Sequence, residues 1–216
     1  MKAKPKRLNW VRPPGPAAAG LRIGLLGGSF NPAHEGHLHI SEVALKRLGL
    51  DYVWWLVAPQ NPLKPSIGMA PLNDRMKYAR RLTSHPRILV MDVEAALGTR
   101  YTIDTLKALT RRFPQLRFVW LMGTDNLDSF RRWRRWPEIV QLMPIAVIMR
   151  PGTTLAPLRA KAAQRFSRAR MGAERNIAVA NPPALAIVDG PRSKVSATAI
   201  RARSGWGEAL VRAIPT

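Results

Sequence analysis

From Leu21 onward the chain alternates short apolar runs with longer mixed segments. The runs are Leu21–Leu26, Tyr52–Ala58, Arg87–Met91, Leu116–Met122, Pro144–Met149 and Ala184–Val188. Their length is that of a strand buried on both faces, and they read as continuous rather than alternating apolar sequence. The segments between them carry helical spacing. Ile40, Val43, Ala44, Leu45 and Leu48 form one apolar stripe, stopped by Gly49, and Ile103, Leu106, Leu109 and Thr110 form another before Phe113-Pro114. Repeated strand–helix–strand order predicts an α/β fold, a doubly wound parallel sheet with helices on both faces. Ligands of such sheets bind outside the carboxyl ends of the strands, so the chemistry is expected just after each apolar run. Arg159–Arg175 is basic and Ala-rich and reads as a solvated helix, followed by a loop reaching Asn181-Pro182-Pro183.

Composition sharpens this picture. The chain has 216 residues, 46% of them hydrophobic, which supports one compact domain with a sizeable core. It carries 35 Lys and Arg against 13 Asp and Glu, a net charge of +22, which favours anionic partners such as small phosphates, nucleic acid or acidic lipid. Cysteine is absent, which excludes a disulfide framework, Cys-ligated zinc and a thiol nucleophile, and fits a cytoplasmic protein. No apolar run reaches the length of a membrane span, so no membrane partner is expected. The first 20 residues hold Lys2, Lys4, Lys6, Arg7, Arg12 and four prolines but no acid. They read as a flexible basic N-terminal extension, 1–20, preceding a single domain, 21–216. A solvated terminus accounts for them; a nucleic-acid or membrane arm is the other reading.

The first apolar run leads into Gly27-Gly28-Ser29-Phe30-Asn31-Pro32-Ala33-His34-Glu35-Gly36-His37. Two glycines let main chain approach a ligand closely. A helix beginning near Gly36 or His37 would turn free N–H groups into the same space, which attracts phosphate. His34 and His37 are one helical turn apart and can both donate to phosphate oxygens, whereas His39 points elsewhere. His-x-x-His also suits a metal, with Glu35 alongside, but no third ligand of obvious spacing follows and no metal site is predicted on the protein. The segment is neither a dinucleotide fingerprint nor a P-loop.

Gly-x-Phe-x-Pro-x-His-x-Gly-His, from Gly28 to His37, resembles the signature of the nucleotidylyltransferase superfamily. A second segment, Val195-Ser196-Ala197-Thr198-Ala199-Ile200-Arg201, resembles that superfamily's Ile-Ser-Ser-Thr-x-Ile-Arg. Ser196 is a good helix N-cap, Thr198 falls in the first turn, and Arg201 supplies fixed positive charge. Ala197 lacks the family's second hydroxyl. Gly98-Thr99-Arg100-Tyr101-Thr102-Ile103-Asp104-Thr105-Leu106, Gly123-Thr124-Asp125-Asn126-Leu127 and Met149-Arg150-Pro151-Gly152 are similar to segments of bacterial nicotinate-nucleotide adenylyltransferases, and Trp133 follows at that family's spacing. The resemblance covers about residues 21–204.

The resemblance implies a Rossmann-like nucleotidylyltransferase fold. It also implies transfer of the adenylyl group of ATP to nicotinate mononucleotide, giving nicotinate adenine dinucleotide and pyrophosphate. His34, His37 and Arg201 would be catalytic. Gly27, Gly28, Ser29, Phe30, Gly36, Lys64, Ser196 and Thr198 would line the ATP site. Trp133 would stack on the pyridine ring, Thr102 and the main chain at Arg134 would meet the carboxylate, and Asp125 would meet a ribose hydroxyl. Mg²⁺ would be bound through the ATP phosphates. Lys64 stands in Gln60-Asn61-Pro62-Leu63-Lys64, which lacks the histidine of the family's Pro-Pro-His-Lys loop. Arg75 lies in a segment the family also uses, and an exposed helix arginine explains it as well.

Two other readings remain. Another transferase of this fold would take nicotinamide mononucleotide or phosphopantetheine. A basic nucleic-acid-binding protein would use Arg131-Arg132-Trp133-Arg134-Arg135-Trp136 as a patch.

Overall fold

The computed structural model describes residues 15–60, 68–149, 167–172 and 174–189. Six parallel strands form one sheet: β1 (Arg22–Gly28), β2 (Tyr52–Val57), β3 (Ile88–Met91), β4 (Arg117–Gly123), β5 (Ile145–Ile148) and β6 (Leu185–Val188). Their order is β3-β2-β1-β4-β5-β6. All six expected runs are strands. The direction of winding reverses between β1 and β4, whose pairing runs from Arg22↔Arg117 to Leu26↔Leu121. A crevice therefore opens beyond the carboxyl ends of these two strands, where open α/β sheets bind ligands.

Alternate residues of each strand feed two separate cores. Ile23, Leu25, Trp54, Leu56, Trp120 and Met122 pack on one face with α3 (Val93–Leu97), α4 (Thr102–Arg112), α5 (Thr124–Phe130) and α6 (Trp136–Leu142). Leu26, Val53, Trp55, Val57 and Leu121 pack on the other with α1 (Glu35–Arg47) and α2 (Leu72–Leu82). With both faces covered, β2 and β4 have almost no solvated residue, which is why their sequences read as continuous apolar runs. Helix α1 buries Ile40, Val43, Ala44 and Leu45, and Lys46 and Arg47 complement the negative end of its dipole. Gly49, at φ +62°, then turns the chain toward β2 in a conformation that L side chains disfavour.

Two expectations are corrected. The described part of Arg159–Arg175 is not a regular helix. It holds a 3₁₀ turn at Ser167–Ala169, a bridge from Arg170 to Leu185, and the start of a second 3₁₀ turn at Glu174–Val179. Ile177 and Ala178 are buried against β4 and β6, so this crossover is a packed connection. Residues 15–20, assigned above to a flexible extension, pack on the domain. Ala17 lies against the core, the Gly20 N–H donates to the Gln115 carbonyl at 2.9 Å, and Gln115 Nε2 donates to the Ala17 carbonyl at 3.2 Å.

Candidate active site

The end of β1 carries the densest chemistry among the described residues. Helix α1 starts at Glu35, one or two residues earlier than expected, because His34 acts as its N-cap. His34 Nδ1 accepts the Gly36 N–H at 3.1 Å, and His37 Nδ1 accepts the His34 N–H at 3.2 Å. The His37 N–H also turns back to the His34 carbonyl at 2.8 Å. The first turn thus uses internally the Gly36 and His37 N–H groups, which are therefore not open to phosphate, contrary to expectation. In exchange, both imidazoles have a fixed tautomer. A ring nitrogen that accepts carries no proton, so each neutral ring keeps its hydrogen on Nε2 and presents that nitrogen as a donor.

Packing holds the two rings. Their centroids are 4.0 Å apart, and His37 lies 4.5 Å from Phe30 and 5.9 Å from Trp55. Phe30 itself stacks on Trp55 at 5.1 Å. Trp55 Nε1 donates to Ser41 Oγ at 2.7 Å, and Ser41 Oγ donates to the His37 carbonyl at 2.8 Å, so β2 grips the first turn of α1. Phe30 has φ +47°, a left-handed conformation that costs a bulky residue on the order of 1–2 kcal/mol. Its burial between His37 and Trp55 offsets that strain.

The two glycines have different roles. A Cβ on Gly27 would sit 2.4 Å from Trp120 Cη2, so Gly27 is bare because an indole from β4 occupies the space. A Cβ on Gly28 would meet the Phe30 ring at 3.4 Å and lie 3.9 Å from His37 Nε2. Gly28 therefore opens the main chain beneath the His37 donor. Ser29 Oγ, at the end of β1, and Thr124 Oγ1, at the end of β4, are buried without a hydrogen bond among the described residues. They flank the crevice.

On the opposite face, Arg134 reaches the residue that precedes α4. Thr102 is the first residue of that helix, whose N-cap Tyr101 gives no side-chain hydrogen bond. The Arg134 guanidinium lies 4.6 Å above the Tyr101 ring and that of Arg100 lies 5.8 Å away. Trp133 is half-buried, meeting Trp120 at 5.9 Å and Phe130 at 5.3 Å, both edge to face. Asp125 is exposed in the first turn of α5. Trp120 touches both Gly27 and Trp133 and so links the two halves of the site. Lys64, Ser196, Thr198 and Arg201 lie outside the described residues.

The arginine cluster is partly spent within the domain. Arg135 donates twice to Glu138, at 2.6 and 2.7 Å, and approaches Asp104 at 3.8 Å; Lys107 meets Glu138 at 2.8 Å. These cations hold the Glu138 carboxyl down to about 2. Of the four arginines in Arg131–Arg135, Arg134 and Arg135 therefore have partners in α4, α6 or the residue capping α4, which leaves less of a nucleic-acid patch than the sequence suggests.

The cytidylyltransferase-like family model matches residues 25–203. The chain is 56% identical over 189 residues to a probable nicotinate-nucleotide adenylyltransferase of Parvibaculum lavamentivorans, covering 87% of this chain and 94% of that protein. It is 55% identical over 185 residues to the protein of the same name from Methylorubrum extorquens, covering 85% of this chain and all of the relative. The chain belongs to the nicotinate-nucleotide adenylyltransferase family. A solved Plasmodium falciparum nicotinic acid mononucleotide adenylyltransferase, complexed with NaAD, shares the fold at a TM-score of 0.64 and 16% identity, covering 84% of this chain and 83% of that one. Among the described residues no helix is long and apolar enough to cross a membrane.

Arg75 and Asn31 tie the loop after β1 to the chain before α2. Arg75 is buried, not exposed, and Asn31 Oδ1 and Nδ2 bond the Ala70 N–H and the Gly68 carbonyl at 3.2 and 2.9 Å. Arg75 lies in a segment the family also uses, but its carbonyl partners carry no residue identity to read from sequence, and Asn31 falls at an unspecified position of the Gly28–His37 signature.

Proposed function

We propose that the protein transfers the adenylyl group of ATP to nicotinate mononucleotide, in the cytoplasm, as a step of NAD biosynthesis. The observation that carries this reading is the reciprocal histidine cap at the end of β1, in a chain more than half identical to proteins bearing that name. An oxygen of the acceptor's 5′-phosphate attacks the α-phosphorus of ATP. The bond from that phosphorus to the bridging oxygen breaks, and pyrophosphate leaves with the electron pair. A phosphate monoester is largely ionised near pH 7, so no general base is required. Catalysis rests on alignment and on donors aimed at developing charge.

His34 and His37 supply two such donors through Nε2. Gly28, Ser29, Phe30 and Gly36 shape the phosphate loop, with Gly27 behind it. Lys64, Ser196, Thr198 and Arg201 complete the triphosphate contacts by resemblance to the family. The loop offers imidazole donors rather than carboxylates, so Mg²⁺ would come with ATP, on phosphate oxygens and water, and not on this loop. It would supply neutralisation of charge on the leaving group. Trp133 stacks on the pyridine, Thr102 and the main chain at Arg134 receive its carboxylate, and Asp125 accepts from a ribose hydroxyl.

The test is pyrophosphate release from ATP and Mg²⁺ with nicotinate mononucleotide, nicotinamide mononucleotide or phosphopantetheine as acceptor. A clear preference in kcat/KM for nicotinate mononucleotide is expected. Equal use of the amide would sink the acceptor assignment, and release only with phosphopantetheine would move the protein to another branch of the fold.

A further inference from the structure

Arg75 lies in the first turn of α2 and is only 1% exposed. A buried cation is costly unless its donors are satisfied, and this one is satisfied in an unusual way. Its Nε donates to the Ala70 carbonyl at 2.8 Å, its Nη2 to the Pro59 carbonyl at 2.9 Å, and its Nη1 to the carbonyls of Ala58, at 2.8 Å, and Ser29. All four acceptors are main-chain carbonyls, and they belong to three separate stretches of chain. Ser29 precedes Phe30 in the loop after β1, Ala58-Pro59 follows β2, and Ala70 precedes α2. Burial pulls the guanidinium pKa down, but an arginine remains charged, so a fixed positive charge sits immediately behind the loop that bears His34. Asn31 repeats the connection from the loop side, bonding Gly68 and Ala70.

We propose that Arg75 is a positioning residue for adenylyl transfer: its guanidinium clamps the Ser29–His34 loop to the ends of β2 and α2, and so sets where the histidine donors meet the triphosphate. The inference rests on the reading of that loop as the ATP site. An apolar side chain would fill the same space without the desolvation cost. What it would lose is the planar fork that spans three chain segments at once. Ser29, the clamped residue, adjoins the one at φ +47°, where the loop is most prone to relax.

The experiment uses the full chain with Arg75→Lys, Arg75→Met and Asn31→Ala. Lysine keeps the charge but has no fork, and methionine keeps much of the volume. Melting temperature, kcat, and KM for ATP and for the pyridine mononucleotide are measured, together with ¹⁵N spectra of the four histidines. Displacing the loop by about 1 Å is expected to lower kcat/KM for ATP about 10²-fold. The acceptor KM stays unchanged, and the ring signals of His34 and His37 shift while those of His85 do not. Asn31→Ala shows the same pattern in weaker form.

The proposal is overturned if folded Arg75 variants melt earlier but keep wild-type ATP kinetics and histidine spectra. It is equally overturned if both substrates' KM values rise together. Should neither Arg75 variant fold, Asn31→Ala decides, and wild-type ATP kinetics there overturn it. A wild-type protein that used neither pyridine mononucleotide would sink the functional reading instead, and the histidine spectra would still decide the clamp.

Discussion

His34 and His37 cap one another: each ring's Nδ1 accepts a main-chain N–H of the first turn of α1, from Gly36 and His34 respectively. The arrangement joins a structural task to a chemical one. The nitrogen that caps the helix cannot donate, so the other must.

This relationship predicts a separable outcome at position 34. In His34→Asn the amide oxygen can take over the cap, but no donor remains where Nε2 stood. Turnover should fall about 10²–10³-fold, as for loss of an oxyanion donor. Stability should change little. His34→Ala loses the cap as well and should unfold about 1 kcal/mol more easily. Urea denaturation and steady-state kinetics on both variants check this. An Asn variant with wild-type turnover would remove the imidazole from the mechanism.

His37→Ala removes the second donor and the acceptor for the His34 N–H. A folded but nearly inactive protein is expected, again about 10²–10³-fold down in kcat. In the unmodified protein, ¹⁵N shifts should report the Nε2–H tautomer for both rings, a measurement that needs no substrate.

Glu94 makes stability depend on pH in a direction unusual for a carboxylate. It is 7% exposed in α3, and burial pushes its carboxyl from 4.5 up to about 7. The native state then holds the proton more tightly than the unfolded chain. The stabilising contribution is complete below pH 4.5, declines as pH rises through that window, and is lost above 7. The shift corresponds to about 3 kcal/mol. Other groups titrate over the same range, so the informative quantity is the difference between wild type and Glu94→Gln. The Gln variant should gain on wild type from pH 4.5 to 7 and stay ahead above it, read by urea midpoints. A constant difference across pH would contradict the buried-carboxyl account.

Much of this fold was legible because burial on both sheet faces erases polar alternation, leaving β2 and β4 as unmistakable apolar runs. The candidate loop after β1 stands out in the sequence because Gly28-x-Phe30 and His34-x-x-His37 are local. What escaped depends on distant partners. Arg75 is satisfied by carbonyls, which have no residue identity to read. The need for Gly27 comes from Trp120 on another strand. His34 as an N-cap runs against the usual preference for Ser, Thr, Asp or Asn, so the helix start was read late. The crossover at Ser167–Val179 has helical composition, but it packs Ile177 and Ala178 into the core and breaks into 3₁₀ turns.

Gly27 and Gly28 give the sharpest contrast between packing and chemistry. In Gly27→Ala the new methyl would lie 2.4 Å from a ring atom of Trp120, which is itself 1% exposed and has little room to give. Overpacking of this kind costs about 1–3 kcal/mol. Trp120 also packs on Trp133, so the displaced indole should carry the effect to the pyridine subsite and raise the acceptor KM. In Gly28→Ala the nearest contact is an ordinary 3.4 Å to Phe30, and the fold should be kept. Its methyl instead narrows the space under His37 Nε2, so the ATP KM should rise and the acceptor KM should not. Denaturation midpoints and two-substrate kinetics on the pair distinguish these outcomes. If both variants behaved alike, the two glycines would share one role and the assignment of Gly28 to the phosphate loop would fail.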